Sequence, residues 1–148
     1  MSGPADRGAV DDLVARYAHA VDRRDVAAIV DCFTEDAHLE LNGGEAVADG
    51  RAAIEALFTA AFAGGITGPD GVSTHLLGDV LVELDGDRAG VEIQGVAWLA
   101  SPERTTVVVR GLRYTDECVR DGGRWRIRHR VHRSLWQAEI PGGPLPGS

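Results

Sequence analysis

The spacing of apolar residues changes once along this chain, near residue 64. Before that point helical stripes dominate, broken by one short strand, and after it comes the alternation of strands. Val10, Leu13, Val14, Tyr17 and Val21 recur at helical spacing and predict a helix over residues 6–24. Asp25 is a natural N-cap for a second helix, whose apolar stripe is Val26, Ile29, Val30 and Phe33. Thr34-Glu35-Asp36-Ala37 leads into a short strand near residues 38–41, and Asn42-Gly43-Gly44 is a turn. A third helix over residues 51–63 carries Ile54, Leu57, Phe58 and Phe62 on one side and stops at Gly64-Gly65. Four strands follow, over residues 73–84, 89–100, 105–120 and 124–136. Asp85-Gly86-Asp87-Arg88 and Asp121-Gly122-Gly123 mark tight turns between them. Helices first and a strongly bent antiparallel sheet second is the α+β arrangement, because only the sheet can bury the helices' apolar stripes.

Composition narrows the partners. A chain of 148 residues fits one domain, with an ordered core expected over about 6–140 and loose Pro-, Gly- and Ser-rich tails at 1–5 and 141–148. The net charge of −8 repels phosphates and argues against a nucleic-acid partner. No apolar run approaches the ~20 residues that span a bilayer, so no membrane partner is expected. The N-terminal residues lack the basic-then-apolar pattern of a secretion signal, so the expected location is cytoplasmic. All 15 basic residues are arginine, which excludes Schiff-base lysines and lysine-bearing phosphate loops. Cys32 and Cys118 make no disulfide framework and read as small buried apolar residues. Charge is uneven. Residues 1–100 hold 6 Arg against 18 acids, and residues 101–148 hold 9 Arg against 5.

Several motifs stand in a fixed order: Tyr17-x4-Asp22-x2-Asp25, Phe33-x2-Asp36-Ala37, Asp49-Gly50-Arg51, Thr74-His75, and Tyr114-Thr115-Asp116-Glu117-x2-Arg120-Asp121-Gly122-Gly123-Arg124-Trp125. In that order the chain resembles the SnoaL-like branch of the NTF2-like superfamily over nearly its whole length. Within the branch it resembles three lyases: hexachlorocyclohexane dehydrochlorinase, bile-acid 7α-dehydratase and scytalone dehydratase. The resemblance implies a cone of helices and bent sheet whose open end holds an Asp–His pair.

Each candidate residue has a plain reading beside the chemical one. By pattern, Asp22 is a solvated acid in the turn Asp22-Arg23-Arg24-Asp25; the resemblance implies instead that it points into the cavity and holds the catalytic histidine. Asp25 stays a cap. His75 shares strand parity with Leu77 and Leu81 but also with Asp79 and Glu83, and a bulge at Gly78 would reset that parity. The resemblance makes His75 the base, a role suited to a group that titrates near neutrality. Tyr17 is a core tyrosine or a proton donor to a leaving hydroxyl. Arg130, five residues past Trp125, matches a pocket arginine of the dehydrochlorinase; by pattern it belongs to a solvated run with Arg124, Arg126, Arg128 and Arg133. Which of Arg128, Arg130 and His132 faces inward depends on a bulge in the last strand. His132, Phe58, Trp98 and Trp136 are candidates for substrate contact, and core packing is the plain reading of both tryptophans. No metal site is expected, since His129 and His132 fall on opposite faces of a strand. His19 and His38 read as surface residues.

The expected function is a lyase of the dehydratase type that needs no cofactor and acts on a small, mostly apolar, possibly polycyclic substrate. The same dyad would serve a double-bond isomerase or a polyketide cyclase, and the same fold a non-catalytic binding module. Self-association is expected from alternating apolar residues such as Val107 and Val109 on the outer sheet face. The resemblance favours a trimer over a dimer.

Overall fold

The first helix begins at Pro4, whose ring suits the first turn of a helix. The protein is described from a computed structural model covering residues 3–145 and 147. α1 (Pro4–Asp22) buries Val10, Leu13, Val14, Tyr17 and Val21, the stripe read from the sequence. The turn after it leads to α2 (Val26–Asp31), capped by Asp25, whose carboxylate accepts from the Ala28 amide at 3.0 Å. β1 (Phe33–Leu41) and β2 (Ala46–Asp49) form a hairpin, and α3 (Arg51–Ala61) follows. A 3-10 turn at Gly65–Thr67 precedes the long strands β3 (Val72–Asp85), β4 (Arg88–Ala100), β5 (Thr106–Asp121) and β6 (Arg124–Pro141). Phe33, expected at the end of the second helix, opens β1 instead and is fully buried there. Of the expected tails, Pro4, Ala5 and Pro141 belong to regular elements, while residues 1, 2, 146 and 148 lie outside the described residues.

Three helices pack on a curved, unclosed six-stranded sheet of order β2-β1-β6-β5-β4-β3. β3 to β6 form an antiparallel meander, and β1 inserts beside β6 in parallel. The β5–β6 turn needs left-handed backbone at both central positions, which Gly122 (φ 58°) and Gly123 (φ 81°) supply. The core between helices and sheet holds Ile29, Phe33, Leu39, Ile54, Ile93 and Ile127 among others. Cys32 and Cys118 are free and buried in it, as expected. No helix among the described residues is long and apolar enough to cross a membrane.

Bulges decide which side chains face inward. In β3 the register slips between Gly78 and Leu81, where Asp79 takes a φ of 45°. Ser73, His75 and Leu77 therefore share the inner face with Val80, Val82 and Leu84, while Asp79, Leu81 and Glu83 turn outward. In β6 one slip lies beside Arg128 and a second beside Leu135. The first puts Trp125 and Ile127 on the same face as Arg130 and His132, leaving Arg128 exposed.

Candidate active site

At the open end of the helix–sheet layer lies a cavity of about 200 Å³. α1 and its exit turn contribute Tyr17, Val21 and Arg24, and α3 contributes Leu57 and Phe58. The strands contribute Ser73, His75, Leu99, Arg110, Tyr114 and His132 among others. Most of the wall is apolar, so the few polar groups on it are well defined.

Asp22 ends α1 one step past Val21, and the direction of the helix carries its carboxylate to β3. One oxygen, Oδ1, lies 2.7 Å from His75 Nδ1 and accepts from the Ser73 hydroxyl at 2.8 Å. The other, Oδ2, accepts from the backbone amide of His75 at 2.8 Å. Ser73 and His75 are two residues apart on one strand face, so a single carboxylate spans both. The side chains of His75 and Asp22 are 12% and 21% exposed, enough shelter to strengthen the contact without sealing it. An ionised carboxylate only accepts, so the neutral ring form that suits this contact is the one with its hydrogen on Nδ1 and none on Nε2.

Behind Ser73 stands Arg24. Its NH1 donates to the Ser73 hydroxyl at 2.8 Å and to the Asp22 carbonyl at 3.2 Å. Arg24 holds a φ of 54°, a left-handed conformation that costs a non-glycine residue roughly 1–2 kcal/mol. Asn42, with a φ of 50°, also lines the cavity.

Two cross-strand pairs of β5 and β6 follow: Tyr114 and His132 on the cavity wall, and Asp116 and Arg130 buried behind them. The Arg130 guanidinium grips Asp116 with two bonds, Nε at 2.8 Å and NH2 at 2.6 Å, and both residues are buried. Its Cζ lies 4.1 Å from the Tyr17 ring centroid and 4.5 Å from that of Tyr114. Burial alone would lower the pKa of Arg130, but the Asp116 charge and hydrogen bonds outweigh it and hold the guanidinium firmly charged. Burial pushes the hydroxyl pKa of Tyr17 and of Tyr114 upward, so both stay protonated donors at neutral pH. Burial, followed by repulsion from Arg130, lowers His132 to about 4, which keeps that ring neutral. Its ring packs against Tyr114 with centroids 5.0 Å apart, and its buried Nδ1 has no partner among the described residues.

The structure thus brings Tyr17, His75, Phe58 and His132 to one cavity, while Asp22 does not line it and acts on it through its contact with His75. Three expected placements are corrected. Arg130 does not line the cavity but lies one layer deeper, because Asp116 opposite it on β5 supplies its counter-ion there. Trp98 does not line it either, since its neighbours Ala97 and Leu99 take the inner face and strand alternation turns Trp98 outward. Trp136 lies on the outer face, 52% exposed, with its indole across Gly111 where any Cβ would collide. Ser73, Arg24, Arg110, Tyr114 and Asp116 were not singled out as site residues. The signals for them were parity with His75 for Ser73, and the unbroken inward series Arg110, Leu112, Tyr114, Asp116 of β5 for three others. Arg24 left no signal, because its position follows from the left-handed turn.

Comparison with known proteins supports this geometry at the level of the fold. The sequence profile of the SnoaL-like domain matches residues 4–131. A candidate aromatic ring hydroxylase of Novosphingobium aromaticivorans is 28% identical, with a TM-score of 0.79 over 95% of this chain and 96% of that one. A type 2 hexachlorocyclohexane dehydrochlorinase superposes with a TM-score of 0.81 at 17% identity, over 97% and 96% of the two chains. A candidate scytalone dehydratase of Novosphingobium aromaticivorans gives 0.78 at 15% identity, over 97% and 95%. At such identities the last two show the fold alone.

Proposed function

Since the chain belongs to the SnoaL-like domain family, in the NTF2-like α+β fold, we propose that it is a cofactor-independent lyase of the dehydratase type. The observation that carries this reading is the contact of the Asp22 carboxylate with His75 Nδ1 at 2.7 Å on the wall of a largely apolar cavity. His75 Nε2 takes a proton from substrate carbon, and the electrons of that C–H bond form the new double bond. The C–O bond to the leaving hydroxyl breaks, and the Tyr17 hydroxyl gives it a proton, so that water departs. The imidazolium proton then returns to the Tyr17 oxygen. Asp22 fixes the tautomer of His75 and stabilises its charge, as an aspartate does in a hydrolytic triad. Arg130 acts through the tyrosines: its charge, stacked on both rings, favours negative charge on the Tyr17 oxygen.

The test is water loss from one-ring β-hydroxycarbonyl compounds, followed by absorbance of the conjugated product. His75→Ala should lower the rate by about 10²–10⁴-fold, the usual contribution of a positioned base. Wild-type protein inactive across such a series, or a His75→Ala variant as active as wild type, would overturn the lyase reading.

The protein is also proposed to self-associate, preferably as a trimer. Leu76 and Trp136, 66% and 52% exposed, stand beside Leu135 on the outer sheet face and support a covered surface. Val107 and Val109 are half-buried and leave less apolar area there than expected. Sedimentation that finds only monomer at micromolar concentration would remove this proposal.

A further inference from the structure

The chain carries 23 acidic residues against 15 arginines, yet among the described residues no acidic side chain lines the cavity. The wall holds Arg24, Arg110, His75 and His132 instead, and the carboxylates nearest to it are already bound, Asp22 to His75 and Asp116 to Arg130. An acidic protein has therefore built a cavity of the opposite sign.

The two arginines next to it can be compared atom by atom. Arg130 presents its Nε–NH2 edge to a carboxylate, in the two-bond geometry that suits this edge. On Arg24 only NH1 is engaged. Its Nε and NH2, the same edge, have no acceptor among the described residues and almost no accessible surface, so a ligand in the cavity meets them once the side chain rotates. The Arg24 Cζ lies 5.6 Å from the centroid of Phe62, which also lines the cavity. A sheltered guanidinium edge with no acceptor is costly, and a carboxylate is its best match.

Size limits what brings that carboxylate. An engineered cavity of about 150 Å³ holds benzene, so about 200 Å³ suits one substituted six-membered ring. A fused ring system would project through the mouth.

We infer that the ligand of this cavity is a one-ring compound bearing a carboxylate, which the Nε–NH2 edge of Arg24 holds, with Arg110 adding positive charge at the mouth. This rests on the proposed function only in taking the same cavity as the binding site. It narrows the substrate from a mostly apolar molecule to an anionic one and makes Arg24 the residue that sets the preference.

Benzoate and benzamide test it, being alike in shape and different in charge. Binding is read at neutral pH from shifts in the protein's amide NMR spectrum, so turnover plays no part. Wild-type protein should bind benzoate at least about tenfold more tightly than benzamide. Arg24→Gly should lose that preference and keep its affinity for benzamide. Glycine suits the left-handed φ of residue 24, so this variant keeps the turn; Arg24→Asn, which also tolerates that region, is the second variant. Arg110→Gln should weaken benzoate by a smaller factor. Equal affinity for the two probes, failure of benzoate to bind, or a preference that survives in both Arg24 variants would overturn the inference. So would a preference lost in Arg110→Gln alone. None of these results bears on the His75–Asp22 reading, which fails or stands on the water-loss assay.

Discussion

Among the described residues stand two histidine–aspartate pairs of nearly equal length. His38 Nδ1 lies 2.6 Å from Asp49 on the β1–β2 hairpin, and His75 Nδ1 lies 2.7 Å from Asp22 at the cavity. By distance alone they are the same interaction. Asp49 is 79% exposed and touches one partner across the hairpin, whereas Asp22 is sheltered and accepts from three donors. His38 leans edge-on against the His129 ring on the surface, while His75 opens on an enclosed apolar wall. A short contact does not make a site. Enclosure makes one, together with enough extra donors to hold the acid in place and a ring nitrogen left free toward a space where a substrate fits. Asp116–Arg130 marks the other extreme, sealed from solvent, with both carboxylate oxygens engaged and strong electrostatics.

This ordering of surface, cavity wall and sealed core predicts graded consequences. The largest is at the sealed pair. Asp116→Ala leaves Arg130 charged and buried, and urea unfolding should show a loss of about 3–5 kcal/mol. A loss below about 1 kcal/mol would mean that the pair is open to water and that the ordering is wrong.

The next largest belongs to His132, a histidine on the cavity wall with no acidic partner. Its pKa falls from 6.5 to about 4 on folding. The unfolded chain therefore binds the extra proton between those values, and stability should fall as pH drops through that window. The effect is up to about 3 kcal/mol. Unfolding measured across pH 4–7 in wild type and His132→Gln should show a shallower acid decline in the variant. Parallel curves would place that ring in water.

Third, Asp22→Asn and Asp49→Asn set the two histidine pairs against each other. The first disturbs three hydrogen bonds in shelter and should cost about 1–3 kcal/mol. The second removes an exposed ion pair and should cost less than about 1 kcal/mol. Equal costs would erase the distinction.

Much of this was legible in the sequence, because helical stripes and hairpin turns are local. Val10 to Val21 fixed the buried face of α1, Asp25 announced its capping role, and the Gly122–Gly123 turn set the last hairpin. β2 was not legible. Its four residues are a strand only because β1 extends beside them, and nothing in Ala46–Asp49 says so alone. The inner face of β6 was undecided for a similar reason. The slip at Arg128 is a property of how β5 and β6 pair, so it does not show in the alternation of either strand. Strand parity alone puts Asp116 on the same face of β5 as Tyr114, a reading open to the sequence but not drawn from it, and an acid on an inner face demands a cation. Following that demand across the register leads to Arg130, which the resemblance to the dehydrochlorinase had implied for the cavity. The outward turn of Trp98 between Ala97 and Leu99 was open to the same parity argument.

The account stands on the state of one ring. Long-range proton–nitrogen correlation of labelled histidines, recorded where the His75 ring is neutral and assigned with a His75→Ala variant, reads which nitrogen carries the hydrogen. The predicted result is hydrogen on Nδ1 and a bare Nε2 in wild type, with that single tautomer lost in Asp22→Asn. Hydrogen on Nε2 in wild type, or a His75 spectrum unchanged by Asp22→Asn, would contradict it.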